Sequence, residues 1–166
     1  MRHWHASVGS GFTLLELLTA VAVMCILTTL AIPSFTGLIR NNRLASESNL
    51  LLSLLTLGRS ESVKRMQQVT LCKSSDGNTC SDASSIQWNQ GMILFVDANA
   101  NRILDTSEHI IRSTSPFSPT SEVNFSAGST LIYRANGSSS SGTFTIESGT
   151  AHKQVIVSLA GRARIE

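Results

Sequence analysis

The sequence has little charge and few aromatic side chains. Only 14% of its residues are charged, 5% are aromatic, and the formal net charge is +2. A net charge this small argues against nucleic-acid binding over the whole surface, so any such binding would need a local patch. The sequence also lacks a Gly-rich phosphate loop and any Ser/His/Asp, Cys/His or paired-carboxylate set with supporting context. These absences predict a protein that is not an enzyme and uses no cofactor.

Charge is scarcest near the N-terminus, where residues 12–39 form an apolar run with a single charged side chain, Glu16. A helix of this length could cross a bilayer. Arg2 precedes the run, and Arg40 and Arg43 follow it, so the flanking charges alone do not set an orientation. The rest of the chain has room for one modest domain.

Pro33 lies inside the apolar run and removes one helical hydrogen bond. We therefore expect a kink or local melting there, or alternatively the end of the membrane span. Beyond Pro33, leucines at helical spacing predict an amphipathic helix over residues 40–68. Leu51 and Leu55 lie on its apolar stripe, whereas Glu47 is expected to fall off it.

After residue 68, short segments rich in β-branched and aromatic residues alternate with turn-forming residues. Their pattern predicts antiparallel sheets with one drier face. The expected fold is α+β: a long N-terminal helix packed on a C-terminal antiparallel β domain over residues 69–166. The predicted strands are Val69–Cys72, Ile86–Trp88, Met92–Asp97, His109–Ser113, Glu122–Phe125, Thr130–Arg134, Thr143–Glu147 and Lys153–Leu159.

The three cysteines fall in two different environments. Cys25 lies in the apolar run and is expected to be a small buried hydrophobe. Cys72 and Cys80 bracket a polar segment and are expected to close a short disulfide loop, which favours an oxidising compartment. Zinc is disfavoured as an alternative, because no second Cys or His pair lies nearby.

A set of oxygen-bearing side chains follows the spacing of a calcium-binding loop. Arg102 occupies the position where that template needs Gly for a sharp turn, and the flanks are predicted strands. We therefore expect an Asx-rich hairpin tip, keep calcium as the alternative, and predict no other metal site. The residues are Asp97, Asn99, Asn101, Asp105 and Glu108.

Motifs at both ends of the chain resemble those of a known family. The segment from Ser10 to Glu16, Ser-Gly-Phe-Thr-Leu-Leu-Glu, resembles the leader junction of type IV prepilins and type II secretion pseudopilins. Three later segments resemble those of the GspH/FimT family of minor pilins and pseudopilins, so the resemblance spans nearly the whole chain. They are Trp88–Gly91, Phe95–Asn101 and Gly161–Arg164.

This resemblance implies that a prepilin peptidase removes the leader, residues 1–11, by cleavage between Gly11 and Phe12, and that the new Phe12 amine is methylated. Residues 12–39 would then span the bacterial inner membrane once and form the filament core, with residues 69–166 in the periplasm. The implied partners are other pilins or pseudopilins and the inner-membrane assembly platform. The implied function is that of a structural subunit of a type II secretion pseudopilus or a type IV pilus, acting in filament priming and protein secretion.

Glu16 places a carboxylate at membrane depth, which costs about 2.5 to 3.5 kcal/mol unless it gains a partner. The resemblance implies that this partner is the Phe12 amine of a neighbouring subunit and that the pair sets the subunit register. The alternative is a Glu16 at the headgroup boundary that protonation neutralises.

Arg162 and Arg164 lie two residues apart, so in an extended chain both project from one side, with Lys153 as a further cation. The Gly-Arg-x-Arg segment resembles that of competence-type family members that bind DNA during uptake. DNA binding by a minor pilin is therefore the alternative function. A solvated tail, or a salt bridge between subunits, is the other interpretation of these arginines.

Overall fold

The computed structural model describes residues 11–166, with the side chains of residues 29–34 outside the description. The leader, apart from Gly11, and the flanking Arg2 thus lie outside the described residues. One helix, α1, runs from Leu14 to Arg65. The chain divides into two compact units between Ile39 and Arg40.

The helical segment of the first unit contains many Leu and several Ala, which favour helix. Its large apolar side chains are exposed at every described position, with Phe12 82% exposed and Leu27 60%. Within the described residues, no helix is both long enough and apolar enough to cross a membrane. The span over residues 12–39 stays a prediction.

The second unit packs the remainder of α1 with eight strands. A short 3-10 helix, Trp88–Gln90, lies between β1 and β2. The strands are β1 (Gln68–Lys73), β2 (Met92–Asp97), β3 (Ile110–Ser113), β4 (Glu122–Phe125), β5 (Thr130–Tyr133), β6 (Gly142–Ser148), β7 (Ala151–Val157) and β8 (Ala163–Ile165).

The strands form two four-stranded sheets, in the orders β3-β2-β1-β5 and β4-β6-β7-β8. Every pairing is antiparallel. The first sheet is almost wholly buried through β1 and β2, whereas the second alternates inward apolar and outward polar positions. This matches the predicted α+β class, with the long helix lying against antiparallel sheets.

The core lies between the helix and the sheets. Leu51 and Leu55 are buried against it as the leucine stripe predicts. Gly58 lets the helix approach the first sheet closely, because a Cβ there would lie 3.0 Å from Leu94 Cδ1. In the second sheet, Phe125 and Phe144 stack with ring centroids 4.1 Å apart. Burial of such side chains supplies the main favourable term for this unit.

Three local predictions differ from the structure. The helix ends at Arg65 rather than Gln68, because Met66 turns left-handed (φ 54°) and Gln67 donates its N–H to the Ser62 carbonyl, 3.3 Å away. The strand predicted over Ile86–Trp88 is wrong, because the chain turns there into the 3-10 helix. Strand β8 was not among the predicted strands.

Candidate functional site

The described part of the N-terminal junction lies directly before helix α1. Gly11, Phe12 and Thr13 precede the first helical turn. A Cβ placed on Gly11 would meet no atom of the described residues within 4 Å. The described part of the chain therefore leaves room for a larger side chain at Gly11.

Glu16 closes the first turn of α1 through a reciprocal pair of bonds. Thr13 Oγ1 accepts the N–H of Glu16 at 3.2 Å, while Glu16 Oε2 accepts the N–H of Thr13 at 3.3 Å. This is a capping box, in which two free N–H groups of the helix start are satisfied by side chains. The signal was present in the sequence as Thr-x-x-Glu, although the prediction for Glu16 weighed a neighbouring subunit and protonation at the headgroup boundary and did not include this cap.

The rest of the first unit shows an uncharged, exposed helical surface. Cys25 is exposed there, so the expectation of a buried side chain is wrong for the subunit alone. Helix α1 is continuous through Pro33 and Gly37. The kink at Pro33 stays a prediction.

Cys72 and Cys80 form the predicted disulfide, with their Cα atoms 5.7 Å apart. Cys72 packs in a small cluster with Ile93 and Phe95, so the bond ties the loop to the first sheet. Inside the loop, Asp76 accepts the N–H groups of two residues of its own turn, at 2.9 and 2.8 Å. These backbone donors, and a hydroxyl beside them, hold the pKa of the Asp76 carboxyl well below its usual range.

The calcium-like sequence forms the tip of the β2–β3 connection. Asp97 is fully buried at the end of β2, and its two oxygens accept four bonds: from Gln68 Nε2 at 2.6 Å, Thr70 Oγ1 at 2.8 Å, and the N–H groups of Asn101 and Arg102 at 3.0 Å each. The carboxylate thus fixes the tip to β1 rather than facing an open site.

The other oxygens of this tip also accept donors from the tip itself. Asp105 Oδ2 accepts the amide groups of Asn99 and Asn101 at 2.8 and 3.0 Å. Glu108 accepts the N–H groups of Ala98 and Asp105 at 2.9 and 3.2 Å. Within the described residues, no group of three or more His, Cys, Asp or Glu side chains is arranged to hold a metal ion. The geometry is that of an Asx-rich hairpin tip.

The C-terminal arginines lie on and beside β8. Both are exposed, and Arg164 pairs with Glu166 at 2.7 Å. Arg164 lies opposite Ile156 in the β7–β8 register, so Lys153, three residues along β7, belongs to the other face of the strand. The structure thus brings the two arginines together on one side and separates Lys153 from them.

The turn before these arginines depends on glycine. Gly161 has a φ of 75°, and a Cβ there would overlap the carbonyl of Gly137. Arg59 of α1 donates Nε–H to the same carbonyl at 3.3 Å. Gly161 therefore packs against the Gly137 carbonyl, which also accepts the Arg59 bond, and a larger residue at position 161 would disrupt this contact.

Glu47 was expected off the apolar stripe, and this expectation is wrong. It is 8% exposed, and its Oε1 accepts the N–H of Ser118 at 3.0 Å. One turn earlier, Arg43 donates to the hydroxyls of Ser118 and Thr120 at 2.8 and 2.9 Å. The two charged side chains hold the β3–β4 loop against the helix.

The chain is similar to known proteins in sequence and in fold. The family described as "Type II transport protein GspH" matches residues 47–161. A curated relative, the pilin-like protein PilA1 of Thermus thermophilus, is 29% identical over 167 residues, covering 94% of this chain and 97% of that protein.

Two solved structures share the fold. The type IV minor pilin FimU of Pseudomonas aeruginosa has a TM-score of 0.57 at 21% identity, covering 76% of this chain and 90% of that chain. The minor pseudopilin EpsH of the type 2 secretion system of Vibrio cholerae has a TM-score of 0.52 at 13% identity, covering 75% of this chain and 96% of that chain.

A long N-terminal helix with antiparallel sheets packed on its second half is the pilin-like fold. The family match covers more than half of the sequence, and the chain belongs to the GspH family of minor pilins and pseudopilins. It is a structural subunit type rather than an enzyme, as the lack of a catalytic set in the sequence predicted.

Proposed function

We propose that this chain is an inner-membrane minor subunit whose helix, after cleavage between Gly11 and Phe12 and methylation of Phe12, packs into the core of a type II secretion pseudopilus or a type IV pilus. The C-terminal domain faces the periplasm, and the subunit helps to prime the filament. Its partners are other pilins or pseudopilins, the prepilin peptidase and the assembly platform.

The observation that carries this proposal is the surface of the first unit. Its large apolar side chains are exposed at every described position, whereas the second unit has a buried core of its own. A helix with exposed apolar side chains all round needs lipid or other helices as its surroundings. Membership of the GspH family makes both the bilayer and the filament natural surroundings.

Glu16 is the residue that would set the subunit register. Both bonds it accepts from Thr13 go to Oε2. Within the described residues, Oε1 is left for a partner outside the chain. The Phe12 amine of a neighbouring subunit supplies an opposite charge, and pairing offsets the cost of about 2.5 to 3.5 kcal/mol for a carboxylate at membrane depth.

Two variants separate the register role from helix capping. Glu16→Ala should insert normally but lose co-purification with sheared filaments, because it removes the charge that pairs with the neighbour. Thr13→Ala breaks the same capping box and keeps the carboxylate, so it should still assemble. Equal loss in both variants, or full assembly of Glu16→Ala, would refute the register role.

Cleavage is tested by the mass of the protein from a host with an active prepilin peptidase. The native chain should begin at methylated Phe12, and Gly11→Leu should keep its leader. Since a Cβ at Gly11 meets no atom of the described residues within 4 Å, retention of the leader would report on the peptidase rather than on misfolding. A native chain that still carries its leader would refute the assigned junction.

DNA binding is a second candidate function, favoured by the exposure of Arg162 and Arg164 on one side of β8. Two cations give a weak, salt-dependent hold on phosphates. In fluorescence anisotropy at low salt, the Arg162→Ala, Arg164→Ala variant should lose binding, while Lys153→Ala on the other strand face should keep it. Equal DNA binding by the native chain and both variants would show that the two arginines do not bind DNA.

A further inference from the structure

The two outer strands of the second sheet carry opposite charge. At one edge, Glu122 of β4 lies directly opposite Glu147 of β6, and both side chains are exposed. At the other edge, Arg162 and Arg164 are exposed on and beside β8. Like charges directly opposite each other destabilise a sheet, so the acidic pair would gain from a basic side chain beside it.

The acidic edge also has open backbone groups. Ser126 donates its N–H to the Thr143 carbonyl of β6 at 3.0 Å. Because bonding directions alternate along an antiparallel strand, Val123 and Phe125 point their N–H and C=O groups away from β6. A groove of about 330 Å³ runs beside this edge, lined by Gln87, Asn89, Pro119 and residues 122–124.

The basic edge has the same property. Glu166 exchanges two backbone bonds with Gln154 of β7, at 3.0 and 2.8 Å, and Ser158 donates its N–H to the Arg162 carbonyl at 3.0 Å. By the same alternation, Ala163 and Ile165 point their backbone groups outward. An exposed edge of this kind is a template for pairing with another strand.

An outer strand of the first sheet, β5, is closed by its own chain. Ser140 donates its N–H to the Ile132 carbonyl at 3.0 Å, and Ser140 Oγ accepts the N–H of Ile132 at 3.2 Å. This edge is therefore occupied, whereas β4 borders an open groove.

We propose that copies of this chain associate head to tail through the second sheet, with β8 of one copy adding to β4 of the next. Each neighbouring pair in the order β4-β6-β7-β8 is antiparallel, so β4 and β8 of one copy run in opposite directions. When two copies lie side by side in the same orientation, β8 of one is therefore antiparallel to β4 of the next. If Val123 lies opposite Ala163, Arg164 lies opposite Glu122 and Arg162 lies opposite Asn124, all on the outer face.

Two features make this register accessible. Among the described residues, Arg164 pairs with Glu166, in an exposed ion pair of the kind that contributes little to stability and can be exchanged. The contact is also heterologous, joining two different edges, so it can extend beyond a dimer. It uses residues of the second sheet alone and goes beyond the proposed function, which concerns the helix.

Cysteine cross-linking of the full chain in detergent tests the register. In a Cys25→Ser background, Glu122→Cys copies are mixed with Arg164→Cys copies and oxidised. A disulfide-linked dimer is expected in the mixture, because directly opposite residues of an antiparallel pair lie within disulfide reach. Mixing Asp82→Cys with Arg164→Cys copies serves as the control and should give no dimer. Absence of the linked dimer, or equal linking by Glu122→Cys copies alone, would overturn the proposal.

Charge reversal tests the complementarity. In sedimentation experiments, Glu122→Arg and Arg164→Glu should each weaken self-association about fivefold, and the double reversal should restore it. Arg112→Glu, an exposed arginine on β3, should leave association unchanged. Glu16→Ala should also leave it unchanged, which separates this contact from helix-mediated assembly. Failure of the double reversal to restore association, or its loss in Glu16→Ala, would refute edge pairing.

Discussion

Replacement of Asp97 by Ala should destabilise the second unit more than any surface substitution. The carboxylate is fully buried and accepts four hydrogen bonds, two from β1 side chains and two from backbone N–H groups of the β2–β3 tip. Removing it leaves all four donors without their acceptor. One substitution therefore removes all the hydrogen bonds through which this carboxylate joins the tip to β1.

The magnitude follows from which donors can reach water. Asn101 and Arg102 are exposed, so their N–H groups can rehydrate when the carboxylate is lost. Thr70 is fully buried, and leaving its hydroxyl unpaired costs about 1 to 3 kcal/mol. Hydrogen bonds to a charged group add about 1.5 to 3 kcal/mol each, although they are not additive within one cluster. We expect a total loss of about 3 to 5 kcal/mol.

Thermal unfolding followed by circular dichroism measures this loss. For a chain of this size, 1 kcal/mol corresponds to roughly 3 °C in Tm, so Asp97→Ala should lower Tm by about 10 °C or more. Thr70→Val removes one donor and should lose about 1 to 2 kcal/mol. Asp82→Ala, at an exposed acidic residue, should stay within about 0.5 kcal/mol of the native chain.

The comparison between these variants can refute the reasoning. If Asp97→Ala melts within a few degrees of Asp82→Ala, the buried carboxylate does not hold the tip. A rise in Tm on adding millimolar calcium to the native chain would show that the carboxylates bind an ion, which would restore the calcium alternative.

Three further predictions concern the second unit. Because the folded pKa of Asp76 is lowered, the native state binds fewer protons than the unfolded chain in acid, so Tm should fall as pH drops below about 4, and less so in Asp76→Asn. Burial raises the pKa of Tyr133, so the free energy of unfolding should decline above about pH 10. Tyr133→Phe removes a buried hydroxyl that has no hydrogen-bond partner among the described residues, so it should reduce that decline without loss of stability at pH 7. Removing the Cys72–Cys80 disulfide by paired Ala substitutions should cost about 2 to 3 kcal/mol in thermal unfolding, the cost of a loop this short.

The strands were predictable because their signals are local. Segments rich in β-branched and aromatic residues, bounded by turn formers, predicted the bounds of β2 and β4 without error. Strand β2 is a continuous apolar run buried at every position, whereas β4 alternates exposed and buried positions over its first three residues. The segment at Trp88 has the same composition but a different local geometry. Gln87 and Gln90 form a capping box at the start of a 3-10 turn there, in which Gln90 Oε1 accepts the Gln87 N–H at 3.0 Å. Composition alone does not distinguish that turn from a strand.

The burial of Glu47 was beyond local reasoning. Its partner, the N–H of Ser118, lies 71 residues further along the chain, in a loop whose path depends on both sheets. A charged residue on a leucine-rich helix is expected to face water, because an unpaired charge is costly to bury. Only the tertiary position of the β3–β4 loop reverses that expectation.

Several carboxylates of this chain, including Glu47, have one role in common, and this role also explains the calcium-like spacing. Five of the eleven acidic residues accept a backbone N–H from a loop or helix start. A turn that directs several N–H groups inward needs oxygens at short, regular intervals, which is also what a calcium loop needs. In a chain with so few charges, regularly spaced acidic residues therefore indicate loops whose N–H groups need acceptors, rather than an ion-binding site. The five are Glu16, Glu47, Asp76, Asp97 and Glu108.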